Sequence, residues 1–111
     1  MKYRFIHAAD VHLDSPLASL RRLSAATADE LQGASRRSLQ TIISHALEHQ
    51  VQAVVIAGDL FDGPVKDVGA GLWVDSQFKR LTREGIQVIL IRGNHDAISN
   101  ARRVTRWSAG V

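Results

Sequence analysis

Short, nearly continuous apolar runs alternate along this chain with longer segments whose apolar residues keep helical spacing. Arg4 to Ala9, Val51 to Ala57 and Ile86 to Ile91 read as three strands. The middle run is the most apolar, as expected of a parallel strand covered on both faces. Between the first two, Leu31, Leu39, Ile42, Ile43, Ala46 and Leu47 would line the buried face of a long helix. Thr27-Ala28-Asp29-Glu30 has the form of a capping box, so that helix is expected to open near Thr27, with Gly33 weakening its first turns. Asp14-Ser15-Pro16 is the turn signal that precedes it. Gly63, Pro64, Gly69 and Gly71 mark a loop leading into a second helix, with Val74, Phe78 and Leu81 facing inward. Gly85 is placed to stop that helix, near Glu84, as a left-handed cap. A short basic helix is expected around Asn100 to Arg106. The order is βαβαβ, for which a parallel sheet with right-handed crossovers is the strong expectation. The fold class is α/β.

The chain of 111 residues is long enough for one small domain and short for a large α/β enzyme. Hydrophobic residues make up 45% and charged residues 23%, which is ordinary for a globular chain and argues against disorder. No cysteine is present, which removes disulfides and thiolate metal sites and fits a reducing, cytoplasmic setting. Asp10 arrives too early for a secretory signal, and no apolar run approaches the roughly 20 residues that span a bilayer. No membrane association is therefore expected. The formal net charge is only +3, yet basic residues, mostly arginine, cluster at Arg21 and Arg22, Arg36 and Arg37, Lys79, Arg80 and Arg83, and Arg102, Arg103 and Arg106. Such clusters can meet phosphate backbones, but they are more often the solvated faces of helices.

Chemistry concentrates where the three strands end. Asp10-Val11-His12, Gly58-Asp59-Leu60-Phe61-Asp62 and Gly93-Asn94-His95-Asp96 each follow one of the apolar runs. Parallel strands bring their carboxyl ends to one edge of the sheet, where open α/β folds place their sites. Carboxylate, imidazole and amide oxygen converging there suit divalent metals and compose half of a two-metal phosphoesterase centre. Asp10 and His12 are separated by one residue and would point the same way in extended backbone. Glycine before Asp59 and before Asn94 lets the backbone pass close to a metal. His95, beside a candidate ligand, is placed to protonate or polarise a leaving oxygen. Asp62 and Asp96 suit the orientation of histidines through their ring N–H groups. Each motif alone has an ordinary structural explanation as a turn or helix cap. Three in order, at helix-length separations, do not share one easily.

Three histidines fall outside these motifs. His7 lies within the first strand, where a packed, hydrogen-bonded histidine is the simpler reading. His45 and His49 are one helical turn apart, which is metal-capable spacing, but they end the first helix away from the catalytic edge. A favourable dipole position accounts for them more simply.

Through Phe5 to Pro16, Ala57 to Asp62 and Arg92 to Asp96, the chain resembles the calcineurin-like metallophosphoesterase superfamily over essentially its whole length. It is most similar to the DNA-repair exonuclease branch, the SbcD-like and shorter YhaO-like proteins. The resemblance implies the N-terminal portion of a four-layer metallophosphoesterase fold and a metal-dependent DNA exonuclease of double-strand-break repair. It makes Asp10 and His12 ligands of a first metal, Asp59 the bridging ligand, Asn94 a ligand of a second metal and His95 the catalytic histidine. It further implies manganese as the metal, DNA as the substrate and an SMC-type ATPase as partner, and it leaves room for a homodimer. The protein phosphatases of the superfamily carry an arginine after the second aspartate of the middle motif. Here Gly63 follows Asp62, which favours the nuclease side. The later family histidines have no counterpart in these residues. The expectation is thus a truncated N-terminal part of the domain over residues 1–111, with an incomplete second metal site. The competing readings are a phosphodiesterase or phosphatase acting on a small molecule or protein, and a non-catalytic fragment.

Overall fold

The computed structural model describes residues 2–14, 18–61, 68–91 and 109–111. Strand β1 (Phe5–Ala8) is followed by helices α1 (Ala18–Leu23), α2 (Ala25–Gln32) and α3 (Ala34–Glu48). Then come β2 (Ala53–Ala57), α4 (Val68–Thr82) and β3 (Gln87–Ile91). The strands form one parallel sheet in the order β1-β2-β3, with Ile6 opposite Val54 and Val54 opposite Val88. The expected βαβαβ order and parallel pairing are present, with additional helices in the first crossover. The basic helix expected at Asn100 to Arg106 lies outside the described residues.

The first crossover differs from its sequence reading. One long helix was expected from Thr27, but the segment is three helices. Ser24, in extended backbone at φ −157°, caps α2, and its hydroxyl accepts the Thr27 N–H at 3.3 Å. Thr27 therefore lies inside the first turn and is not the cap, because the serine three residues earlier already accepts its N–H. Gly33 does more than weaken the helix. It ends α2 and begins α3, as its low helix propensity allows. The break also resets the buried face: Ala28 is fully buried, whereas Leu31, expected inside, is 47% exposed.

Beyond Gly33 the expected periodicity holds. Leu39, Ile43 and Ala46 of α3 and Val74, Phe78 and Leu81 of α4 are fully buried. They pack with Val54, Ile56 and Val88 on one face of the sheet. Two crossovers of one hand, moving the same way across a sheet, place their helices on the same side. The opposite face is barer than the apolar run of β2 suggested. Val55 and Ala57 are half-buried there, but Phe5 is 60%, Ile89 40% and Ile91 54% exposed. His7 shares that face and is exposed, so it is not the packed histidine expected within the strand.

Gly85 ends the last turn after α4 at φ +75°, its N–H donating to the Thr82 carbonyl at 3.1 Å. A Cβ at this position would meet nothing within 4 Å, so only the backbone conformation requires glycine. Gly85→Ala should therefore cost about 1–2 kcal/mol, while Gly85→Asn should cost clearly less, since asparagine tolerates the left-handed region. Urea unfolding of the two variants and the parent checks this.

Candidate metal centre

Pairing between the first two strands continues after both have ended. The Asp10 N–H donates to the Gly58 carbonyl at 3.2 Å, His12 to Asp59 at 3.0 Å and Leu13 to Leu60 at 2.9 Å. Leu13 and Phe61 form a further parallel bridge. Gly58 donates in turn to the last residue of β3, Ile91, at 2.7 Å. Apolar side chains anchor the two loops from below, with Leu13, Leu60 and Phe61 all buried in the main core. The side chains between these anchors are left at the carboxyl edge of the sheet.

The backbone that presents them is not extended. Asp10, His12 and Asp59 stand at φ +53°, +47° and +50°, and Gly58 at +85°. The same-side geometry expected for Asp10 and His12 therefore does not come from strand alternation, because β1 has ended at Ala8. It comes from two left-handed residues flanking Val11. Non-glycine residues in this region are uncommon and cost free energy unless their surroundings over-determine them, a pattern concentrated at ligand sites.

The result is a compact donor cluster. One ligand atom from each of Asp10, His12 and Asp59 lies within 4.8 Å of the others. Asp59 is only 8% exposed, His12 is half-buried and Asp10 is exposed, so the cluster opens to solvent on the Asp10 side. Two carboxylates so close repel one another, and a divalent cation between them removes that penalty. The mixed oxygen and nitrogen donor set fits such an ion. Asp62, Asn94, His95 and Asp96 lie outside the described residues.

One brace was not legible in the motifs. Asp14, read as a turn residue, is also left-handed at φ +56° and accepts two hydrogen bonds from Arg36 Nε, at 2.9 and 3.2 Å, and a third from Nη2. Its N–H donates to Ser35 Oγ at 3.0 Å. Arg36 also lies over the Trp73 ring of α4, 4.9 Å from the centroid. The loop that carries Asp10 and His12 is thus tied to α3 and α4. Local spacing carries no signal for a contact spanning 22 positions. Other arginines are engaged nearby: Arg21 pairs with Asp29 at 2.8 Å, and Arg37 donates to the Glu30 carbonyl at 3.2 Å. For Arg21 and Arg37 this agrees with the solvated-face reading, while Arg102, Arg103 and Arg106 lie outside the described residues.

A parallel α/β sheet with this cluster at its strand ends has the make-up of a metallophosphoesterase. Calcineurin-like phosphoesterases match residues 3–109, and the chain belongs to that family. It is 36% identical over 107 residues to the uncharacterized metallophosphoesterase YhaO of Bacillus subtilis, covering 96% of this chain and 26% of that protein. The DNA double-strand break repair protein Mre11 of Aeropyrum pernix is 33% identical over 99 residues, covering 86% and 22%. The SbcD subunit of the SbcCD nuclease of Escherichia coli is 26% identical over 96 residues, again covering 86% and 22%. These relatives fall in the SbcD-like and YhaO-like branch that the strand-end motifs resemble. The chain spans about a quarter of the length of the relatives it matches.

The brace makes a specific prediction. The Asp14 and Arg36 side chains are 32% and 34% exposed, so Arg36→Gln should destabilise the chain by about 1 kcal/mol. The same substitution in an Asp14→Asn background should cost markedly less. A double-mutant cycle by denaturant unfolding measures the difference.

Proposed function

We propose that this chain is the N-terminal part of a metal-dependent phosphodiester hydrolase, a manganese-dependent DNA exonuclease of the double-strand-break repair type. The observation that carries the reading is the convergence of Asp10, His12 and Asp59 within 4.8 Å at the carboxyl edge of the sheet. Two relatives support the substrate: one is named for DNA double-strand break repair and another is a nuclease subunit. The second is by name one subunit of an assembly, which supports a partner, proposed here to be an SMC-type ATPase. The exposed apolar face of the sheet supports a larger domain, since parallel sheets are normally covered on both sides.

In this reading Asp10 and His12 would hold a first metal, Asp59 would serve both metals, and Asn94 would offer its amide oxygen to the second. Divalent ions bound there would supply charge neutralisation at a phosphoryl group and a more acidic water. The chain's own residues supply position. Asp59 is buried, and its carbonyl accepts the His12 backbone N–H, which limits the movement of the residue that carries the carboxylate. His12 is held by its N–H bond to Asp59, and neutral imidazole leaves the site net positive charge for an anionic substrate. His95 donates a proton to the leaving oxygen, and Asp62 and Asp96 orient histidine rings. Asp10, His12 and Asp59 together give the 111-residue chain a position for one manganese ion.

Manganese should raise the melting temperature of the 111-residue chain, because binding to the folded state alone stabilises it. Asp10→Asn should abolish that rise. It should also make the metal-free chain more stable by at most about 1 kcal/mol, since it removes one of two neighbouring like charges. Thermal unfolding with and without the ion reads both effects, and an undiminished manganese shift in the variant would reject Asp10 as a ligand.

Activity is tested on a form extended to the relatives' full length, with linear duplex DNA and manganese. Nucleotide release is the expected result, reduced roughly 10²–10⁴-fold in His95→Ala with manganese binding retained. Turnover of small phosphomonoesters without DNA cleavage would favour a phosphatase instead.

A further inference from the structure

At the opposite end of the sheet, the last turn of α3 carries a second donor cluster. His45 and His49 lie one turn apart, with ring centroids separated by 4.2 Å and planes tilted by 47°. The Glu48 carboxylate completes the group: one ligand atom from each of the three lies within 4.8 Å of the others. All three side chains are exposed. His49 is the C-cap of the helix, its N–H donating to the His45 carbonyl at 3.0 Å. Gln50 then turns away at φ +50°, and the Val51 N–H returns to Ala46 at 3.3 Å as the chain enters β2. The cluster therefore stands at the end of the sheet where β2 begins, whereas Asp10, His12 and Asp59 stand where it finishes.

We propose that His45, Glu48 and His49 form a separate surface site for a borderline divalent transition ion of the Zn²⁺ or Cu²⁺ type. Two imidazoles on one helix face, a turn apart, present their nitrogens to a common point. The intervening carboxylate supplies a third donor, leaving an open position for water. Two nitrogen donors and one oxygen select a softer ion than the two carboxylates and one imidazole of the first cluster. The negative end of the α3 dipole favours any cation held there. That dipole alone accounts for two histidines at a helix end; the added feature is Glu48, whose position gives the pair a shared third donor.

The test is a Zn²⁺ titration of the 111-residue chain, followed by calorimetry and by the histidine ring C–H resonances. One binding step should shift both His45 and His49, separately from any binding that shifts His12. Outer-shell partners alone are worth roughly 10–100-fold in metal affinity, so His45→Ala and His49→Ala should each lose at least ten-fold. Glu48→Gln should lose less. Asp10→Asn should leave this step unchanged, and Mn²⁺ should fail to reproduce it. The ring resonances are read on the unaltered chain, and circular dichroism checks that the variants of these exposed residues remain folded. Zn²⁺ that shifts His12 but neither His45 nor His49, or an unchanged number of ions bound in the His45→Ala/His49→Ala double variant, would overturn the proposal.

Discussion

The hydrogen bonds that continue the β1–β2 ladder past the ends of both strands are the constraint on which the candidate site depends. A loop free to choose its path would have little reason to hold Asp10, His12 and Asp59 all at positive φ. Here each choice is forced by its neighbours. The N–H groups of Asp10, His12 and Leu13 are committed to the carbonyls of Gly58, Asp59 and Leu60, and Leu13, Leu60 and Phe61 are committed to the core. Backbone pairing and apolar anchoring together offset the conformational cost of the left-handed residues. The polar side chains are what remains at the surface of that arrangement.

The helices secure the same loop from the other side. Leu39 and Ile43 of α3 and Val74 and Phe78 of α4 bury their faces on Val54, Ile56 and Val88, which fixes both helices relative to the sheet. Arg36, one turn into α3 and lying over Trp73 of α4, then holds Asp14 just beyond the cluster. Packing energy in the core is thereby converted into position at the edge. The two ends of the sheet differ in kind as a consequence. One carries a half-buried cluster built from three loop residues. The other carries an exposed cluster built on a single helical turn, where geometry follows from the helix alone.

What could be read from the residues follows the range of the interactions involved. The three strands, the inward faces of Val74, Phe78 and Leu81, and the glycine stop at Gly85 rest on local period or local sterics, and all are present. The gathering of Asp10, His12 and Asp59 was legible because a parallel topology brings strand ends together wherever the order is βαβαβ. The means of gathering was not. An Asp-x-His spacing suggests extended alternation, and nothing local shows that both residues are left-handed, since that depends on a partner loop about fifty positions away. The capping of α2 was misplaced because Ser24 and Thr27 are both competent caps, and Ser24 is the one the helix uses. The Asp14–Arg36 pair lies beyond any spacing rule, and the exposure of His7 depends on which sheet face the helices leave bare.

The most direct test of the account is where a paramagnetic divalent ion settles on the folded chain. In amide-resolved NMR spectra, a small fraction of an equivalent of Mn²⁺ should first broaden the signals of Asp10, His12, Asp59 and Leu60, residues that pair across the two strand-end loops. Those amides should recover when the ion is chelated. Broadening that spares them while other regions of the chain disappear would contradict the claim that strand pairing beyond Ala8 and Ala57 builds a metal centre.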